Sequence, residues 1–311
     1  EPVNDGGQWD MFVNLMDKYG IMPQFAMPES FQSSHSYMMN RFITRKLREN
    51  ASTLRRNYTK GAKLTALRKQ KEDMLATIHN MLCICLGTPP KLFDWQIRDK
   101  KKKFKRFNNL TPLDFYKKHV DIILTDKVCL IHCPMSNKEI NEHYTVNYLG
   151  NVVGGQIISY ANVDIDVMKR AAVKSIKAGE AVWFGCDVGK MFHRDLGVMD
   201  MNLYDYDLLF GTSFKMDKRA KLEYGDSVMT HAMLLTAVDM KGNTSLKWRI
   251  ENSWGAKGGD KGYMLMTDSW FDEYTYEVVV DKKYLSKKIL EIFERKPIVL
   301  NPWDPMGSLA R

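Results

Sequence analysis

The strongest constraint on this chain is a change of hydrophobic period near residue 125. Upstream, apolar side chains recur every three to four residues, as one face of a helix requires. Residues 7–19 place Trp9, Phe12, Leu15, Met16 and Tyr19 on one such face, and Pro23 and Pro28 end the pattern. From about 36 to 86, Leu64, Leu67, Leu75, Ile78 and Leu82 recur with basic residues between them, and Gly87-Thr88-Pro89-Pro90 stops the run. That segment reads as a long helical hairpin or small bundle. A dense basic loop follows at 98–106, RDKKKKFKR, and Thr111-Pro112-Leu113-Asp114 opens a short helix with proline in its first turn.

Downstream the period shortens. One more amphipathic helix spans 165–179, with Ile165, Met168, Ala172 and Ile176 on its face, Asp164 as N-cap and Gly179 as stop. Then come strands at Ala181–Phe184, Met229–Val238, Gly262–Met266 and Tyr274–Val280. In LKWRIE, Leu246, Trp248 and Ile250 alternate with charged residues, as a half-buried strand does. Helices followed by a run of strands predict an α+β architecture.

The totals limit the function classes. The 311 residues, 44% hydrophobic and 27% charged, suit one large or two ordinary domains and exclude wholesale disorder. No run approaches the roughly 18 apolar residues of a membrane helix, so no membrane partner is expected. The opening EPVNDGGQW has neither the basic start nor the apolar run of a secretory signal. Five cysteines, an odd number without such a signal, suggest free thiols and a cytoplasmic protein. The net charge of +9 and the 98–106 run permit weak, nonspecific nucleic-acid contact, although no zinc-finger, RNP or KH pattern accompanies them. Cys129, His132 and Cys133 lack a second ligand pair at zinc-finger spacing, so neither metal nor cofactor is expected.

The candidate chemistry lies on the late strands. His231 heads one strand in MTHAMLLTAV, and Asn252 follows another in ENSWG. Neighbouring strands can bring imidazole and amide together. An amide oxygen accepting from Nδ1–H would fix the ring tautomer and leave Nε2 as a base. Trp254 can cover the pair and exclude water.

These words resemble the papain-like cysteine proteases: His231-Ala232, then Asn252-Ser253-Trp254-Gly255, Gly258-Gly259 and Gly262-Tyr263. At the other end, Asn4-Asp5-Gly6-Gly7 and a helix ending in Tyr19-Gly20-Ile21 resemble that family's cleft wall. PVNDGGQWD, GEAVWFGCDVGK, DMNLYD and the terminal WDPMG narrow the likeness to the bleomycin hydrolase family. The long gap between Gly7 and His231 fits the same branch. The resemblance implies a partial papain-like fold with a large helical insertion and a late antiparallel sheet or barrel. It implies a helical remnant at 1–30, an insertion for oligomer contacts at 31–125, a β-rich half with His231 and Asn252 at 126–300, and an arm entering the cleft at 301–311. It further implies a cysteine aminopeptidase acting on peptides and bleomycin-like amides and assembled as a homohexamer. His231 would be the base and Asn252 the orienter. Gly6, Gly7 and Trp254 would line the substrate, and Ala310 or Arg311 would present a carboxylate to its amine. Trp303, Pro302 and Pro305 would fix the path of the arm.

The nucleophile is expected in a C-G-x-C-W context upstream of the Gly-Gly loop. No such word occurs in these residues, so the chain reads as the C-terminal part of a longer enzyme, inactive alone. Cys83 and Cys85, in apolar helical MLCICLG, read as buried and inert. Cys186 ends a strand in the wrong chain order. The competing reading is a catalytically inert, basic oligomeric protein that binds nucleic acid.

Overall fold

The computed structural model of the chain describes Val3, residues 6–120 and residues 122–310. The chain divides into two compact units.

The first unit is built on Leu15–Ile122. Its helices Tyr37–Thr59 and Leu64–Leu86 pack on each other, joined through Gly61, whose positive φ of 85° suits a residue without Cβ. Much of the hairpin's apolar surface is open: Tyr37, Phe42 and Ile84 are all exposed. The basic run is not a plain loop. It spans the turn of a β-hairpin, β1 (Phe93–Arg98) and β2 (Phe104–Leu110). Trp95 stacks on Phe107 at 5.3 Å, and Phe115 and His119 close on that pair. These rings provide the apolar contacts that a charged two-stranded ribbon otherwise lacks. The helix Pro112–His119 starts as expected, with Thr111 accepting from Asp114 N–H at 3.0 Å.

The second unit combines Gly6–Asn14 with Ile123–Ala310 around an eleven-stranded sheet. Its strands are β3 (Lys127–Ile131), β4 (Glu142–Val146), β5 (Tyr160–Asn162), β6 (Val182–Cys186), β7 (Phe192–His193), β8 (Val198–Met199), β9 (His231–Lys241), β10 (Thr244–Glu251), β11 (Tyr263–Thr267), β12 (Thr275–Asp281) and β13 (Ile298–Leu300). The order is β13-β4-β5-β3-β12-β6-β9-β10-β11-β8-β7. The centre, β3 to β11, is antiparallel as expected, but β13–β4, β3–β5 and β11–β8 run parallel, so the sheet is mixed. Both faces carry a core, which is why β12 is buried from Thr275 to Val280 and includes the apolar run Val278–Val280. On one face the helix Ile165–Lys177 buries Met168, Ala171 and Ala172 over Phe184, Val278 and Val280. On the other, Tyr144, Tyr160, Tyr276 and Val279 pack with Met306 and Leu309.

Two side-chain expectations fail for local reasons. Leu246 is exposed and Ser245 is buried, because a register shift between Ser245 and Lys247 inverts the alternation before Trp248 and Ile250 resume it. In the helix Trp9–Tyr19, Phe12, Leu15 and Tyr19 are exposed, while Asp10, Val13, Asn14 and Met16 are buried. Polar contacts drive that choice. Asp10 accepts from Ser159 N–H at 2.8 Å, and Asn14 exchanges hydrogen bonds with the Gln156 backbone. Among the described residues no helix is long and apolar enough to cross a membrane.

Candidate active site

β9 opens at His231, held in register opposite Cys186 on β6. On its other side β9 pairs with β10, so Asn252, just past Glu251, comes back beside the start of β9. The His231 ring lies 2.9 Å from Asn252 Oδ1, through Nε2. The same oxygen accepts from Ser253 N–H at 2.8 Å. A backbone N–H can only donate, so this contact identifies the amide oxygen and requires Nε2 to carry the proton. Nδ1 is then the free basic nitrogen. The tautomer is therefore the reverse of the expectation from sequence: the orienting amide meets the distal nitrogen of the ring. Asn252 is buried, and its Nδ2 faces Met264 Sδ at 3.8 Å. Trp254 packs on the imidazole at a tilt, with centroids 4.9 Å apart and planes at 33°.

Sequence reasoning missed Asp187. This buried carboxylate accepts from Ser227 Oγ at 2.8 Å and Thr230 Oγ1 at 3.2 Å, fixing the segment that leads into His231.

Cys129, Cys133 and Cys186, the cysteines that share a unit with this base, are all buried. Cys186 lies across the ladder from His231, but it is fully buried, and burial with Asp187 pushes its thiol well above the usual range. Burial does the same to Cys129 and raises Cys133 to about 11. Cys83 and Cys85 are half-buried rather than buried, on the helix Leu64–Leu86 of the first unit. Among the described residues no cluster of three or more His, Cys, Asp or Glu side chains is arranged to hold a metal ion, so Cys129, His132 and Cys133 do not converge on one.

The C-terminal arm is anchored, not mobile. Met306 is fully buried, and its carbonyl accepts from Gln8 Nε2 and Tyr160 Oη, each at 3.2 Å. Asp304 pairs with the buried Lys138 at 2.8 Å, and Ser308 Oγ donates to Met229 O at 2.7 Å, two residues before His231. Trp303, expected to guide the arm, is instead 72% exposed; Asp304 and Met306 do the anchoring because they are the residues with buried partners. Gly6 sits against this arm: a Cβ there would lie 1.9 Å from Leu309 O and 3.2 Å from Ala310 Cα. Gly7 faces open space. Gly6 thus permits close approach of backbone, but the backbone that approaches is the chain's own Leu309–Ala310. Ala310 is half-buried; Arg311 lies outside the described residues.

Beneath the arm, a Cβ on Gly185 would meet Leu309 Cδ1 at 3.0 Å and Glu277 Cβ at 3.4 Å. Glu277 is fully buried on β12, and burial raises its carboxyl from 4.5 to about 8. Its titratable neighbours, Cys129, Asp10 and Tyr160, are all acids. The native state therefore holds this proton over a range where the unfolded chain has lost it. Stability from this group is complete below about pH 4.5 and is lost as pH rises through about 8. One proton corresponds to about 1.4 kcal/mol per pH unit. Glu277→Gln should therefore gain on the wild type by about 2 kcal/mol between pH 6 and pH 8 in denaturant unfolding. The difference cancels the opposite contributions of Lys218 and His132, whose pKa values burial lowers to about 7 and about 4. Parallel stability curves for the two proteins would show that Glu277 is already ionised at pH 6.

The Peptidase C1-like family matches residues 1–307. Bleomycin hydrolase of Mus musculus is 49% identical over 315 residues, covering 99% of this chain and 69% of the relative. Aminopeptidase C of Listeria monocytogenes is 47% identical over 309 residues, again covering 99% of this chain and 69% of the relative. The crystal structure of PepW from Lactobacillus rhamnosis superposes with a TM-score of 0.96 at 46% identity, covering 99% of this chain and 70% of that one. The chain belongs to the Peptidase C1-like family, among relatives named bleomycin hydrolase and aminopeptidase C.

Proposed function

We propose that these residues carry the base, the orienter and the exit wall of a cysteine aminopeptidase that removes N-terminal residues from peptides and hydrolyses bleomycin-like amides. The observation that carries the reading is the His231–Asn252 contact, with Asn252 Oδ1 fixed by Ser253 N–H. His231 Nδ1 takes the proton of a cysteine thiol. The thiolate attacks the substrate carbonyl carbon, and the imidazolium returns the proton to the departing amine as the C–N bond breaks. Water, deprotonated by the same nitrogen, then hydrolyses the thioester. The raised thiols of Cys129, Cys133 and Cys186 support a nucleophile supplied from outside these 311 residues.

The anchored arm supports exopeptidase action. A carboxylate at Ala310 or Arg311 would meet the substrate amine and leave no room for further residues on that side. The exposed apolar face of the helical hairpin supports subunit contacts, and we infer a cytoplasmic homohexamer from the resemblance read in the sequence. For the domain division we retain as a proposal the one read from sequence, 1–30, 31–125, 126–300 and 301–311.

The charged β1–β2 turn favours one rival, an inert oligomer that binds nucleic acid. The two are separated by reading the coding sequence upstream of Glu1. A C-G-x-C-W word there is expected; an open reading frame without it would favour the rival.

A further inference from the structure

Trp254 is the least secured part of the site. It lies over His231 yet is 38% exposed, so burial does not hold it in place. Its neighbours come from the β7–β8 hairpin. The Arg194 guanidinium carbon sits 4.2 Å from the centre of the indole, and Phe192 lies at 6.4 Å. Arg194 is itself fixed by the turn that contains it, where its carbonyl accepts from Gly197 N–H at 3.2 Å.

A second, independent contact joins the same two loops. Gly197 has φ +65°, and a Cβ on it would lie 2.5 Å from Gly259 Cα in the loop that follows Trp254. Only glycines allow the two backbones to come this close. Leu265 N–H donates to Gly197 O at 2.8 Å and ties the turn to β11. The hairpin turn thus grips the Trp254 loop at two places, once through backbone and once through a cation on an aromatic face.

We propose that Arg194 is a positioning residue, whose guanidinium holds the Trp254 indole over His231. The assignment rests on the reading of His231 as the base. It adds what keeps the lid closed: a cation whose attraction to the ring is strongest where water is scarce. Arg is suited to this because its planar guanidinium can stack while still donating to solvent.

The test needs no turnover and uses the chain as it is. An imidazole under an indole shows upfield-shifted ring-proton resonances in NMR, and His231→Ala identifies them by their loss. The wild type should show the shift at a fixed pH. Arg194→Gln should lose at least half of it, and Arg194→Lys, which keeps a cation, should retain most. If the Gln variant does not fold, Arg194→Met, which keeps the apolar stem and drops the charge, gives the same reading. An unchanged shift in the neutral variant overturns the role of Arg194, as does equal loss in the Lys variant. Absence of the shift in the wild type would instead remove Trp254 from above the base and defeat the underlying site assignment.

Discussion

Replacing His231 by alanine should abolish peptide turnover in a form of the enzyme that includes the nucleophilic cysteine, lowering kcat by about 10³-fold or more. The size follows from the geometry. The ring is committed by Nε2–H to Asn252 Oδ1, so Nδ1 is the single site that can receive the thiol proton. No second imidazole is on the hydrogen-bond path, and removal leaves a neutral thiol that is a poor nucleophile. Asn252→Ala should cost less, about tenfold, because it removes one orienting hydrogen bond while Trp254 still packs on the ring. A His231 variant that keeps near-normal kcat would contradict the assignment.

Cutting the chain after Met306 should turn the exopeptidase groove into an endopeptidase one. The cut removes the Leu309 carbonyl that fills the space beside Gly6 and the Ser308 bond to Met229, but keeps the Asp304–Lys138 anchor and the buried Met306. The substrate amine then loses a carboxylate partner. Hydrogen bonds to charged groups contribute about 1.5–3 kcal/mol, so the preference for free amines should fall about 10- to 100-fold. N-acetylated peptides should become substrates, measured as turnover of free against acetylated peptides by both forms. Continued refusal of acetylated peptides after truncation would defeat the role of the arm. Because Ala310 is small and Arg311 bulky, the intact mature enzyme should also lack Arg311 by mass, having cleaved it itself; a mass that retains it would defeat the self-trimming step alone.

The site was legible where a local word carries its own geometry. His231 at a strand head and Asn252 after a neighbouring strand become adjacent whenever β9 and β10 pair, and that pairing follows from their alternation and the Gly242-Asn243 turn between them. The tautomer was not legible, because it depends on which ring nitrogen faces the amide, and spacing along the chain does not fix a side-chain rotation. Leu246 was misplaced for a related reason: a one-residue register shift inverts a face without changing composition. The strands β5, β8 and β13, which each make one parallel pairing, carry two or three residues each, too few for a period to appear. Asp187 and Arg194 act through partners distant in sequence, so only the fold reveals them. The anchoring of the arm was not legible, because its partners, Lys138, Gln8 and Tyr160, lie more than a hundred residues away.

The most direct test of the central claim, a base built here without its thiol, is the peptidase rate of the purified 311-residue chain with and without a thiol alkylator. The account predicts no turnover above background in either case, because Cys129, Cys133 and Cys186 are buried with raised thiols. Robust turnover that the alkylator stops would show that one of the five cysteines of this chain is the nucleophile.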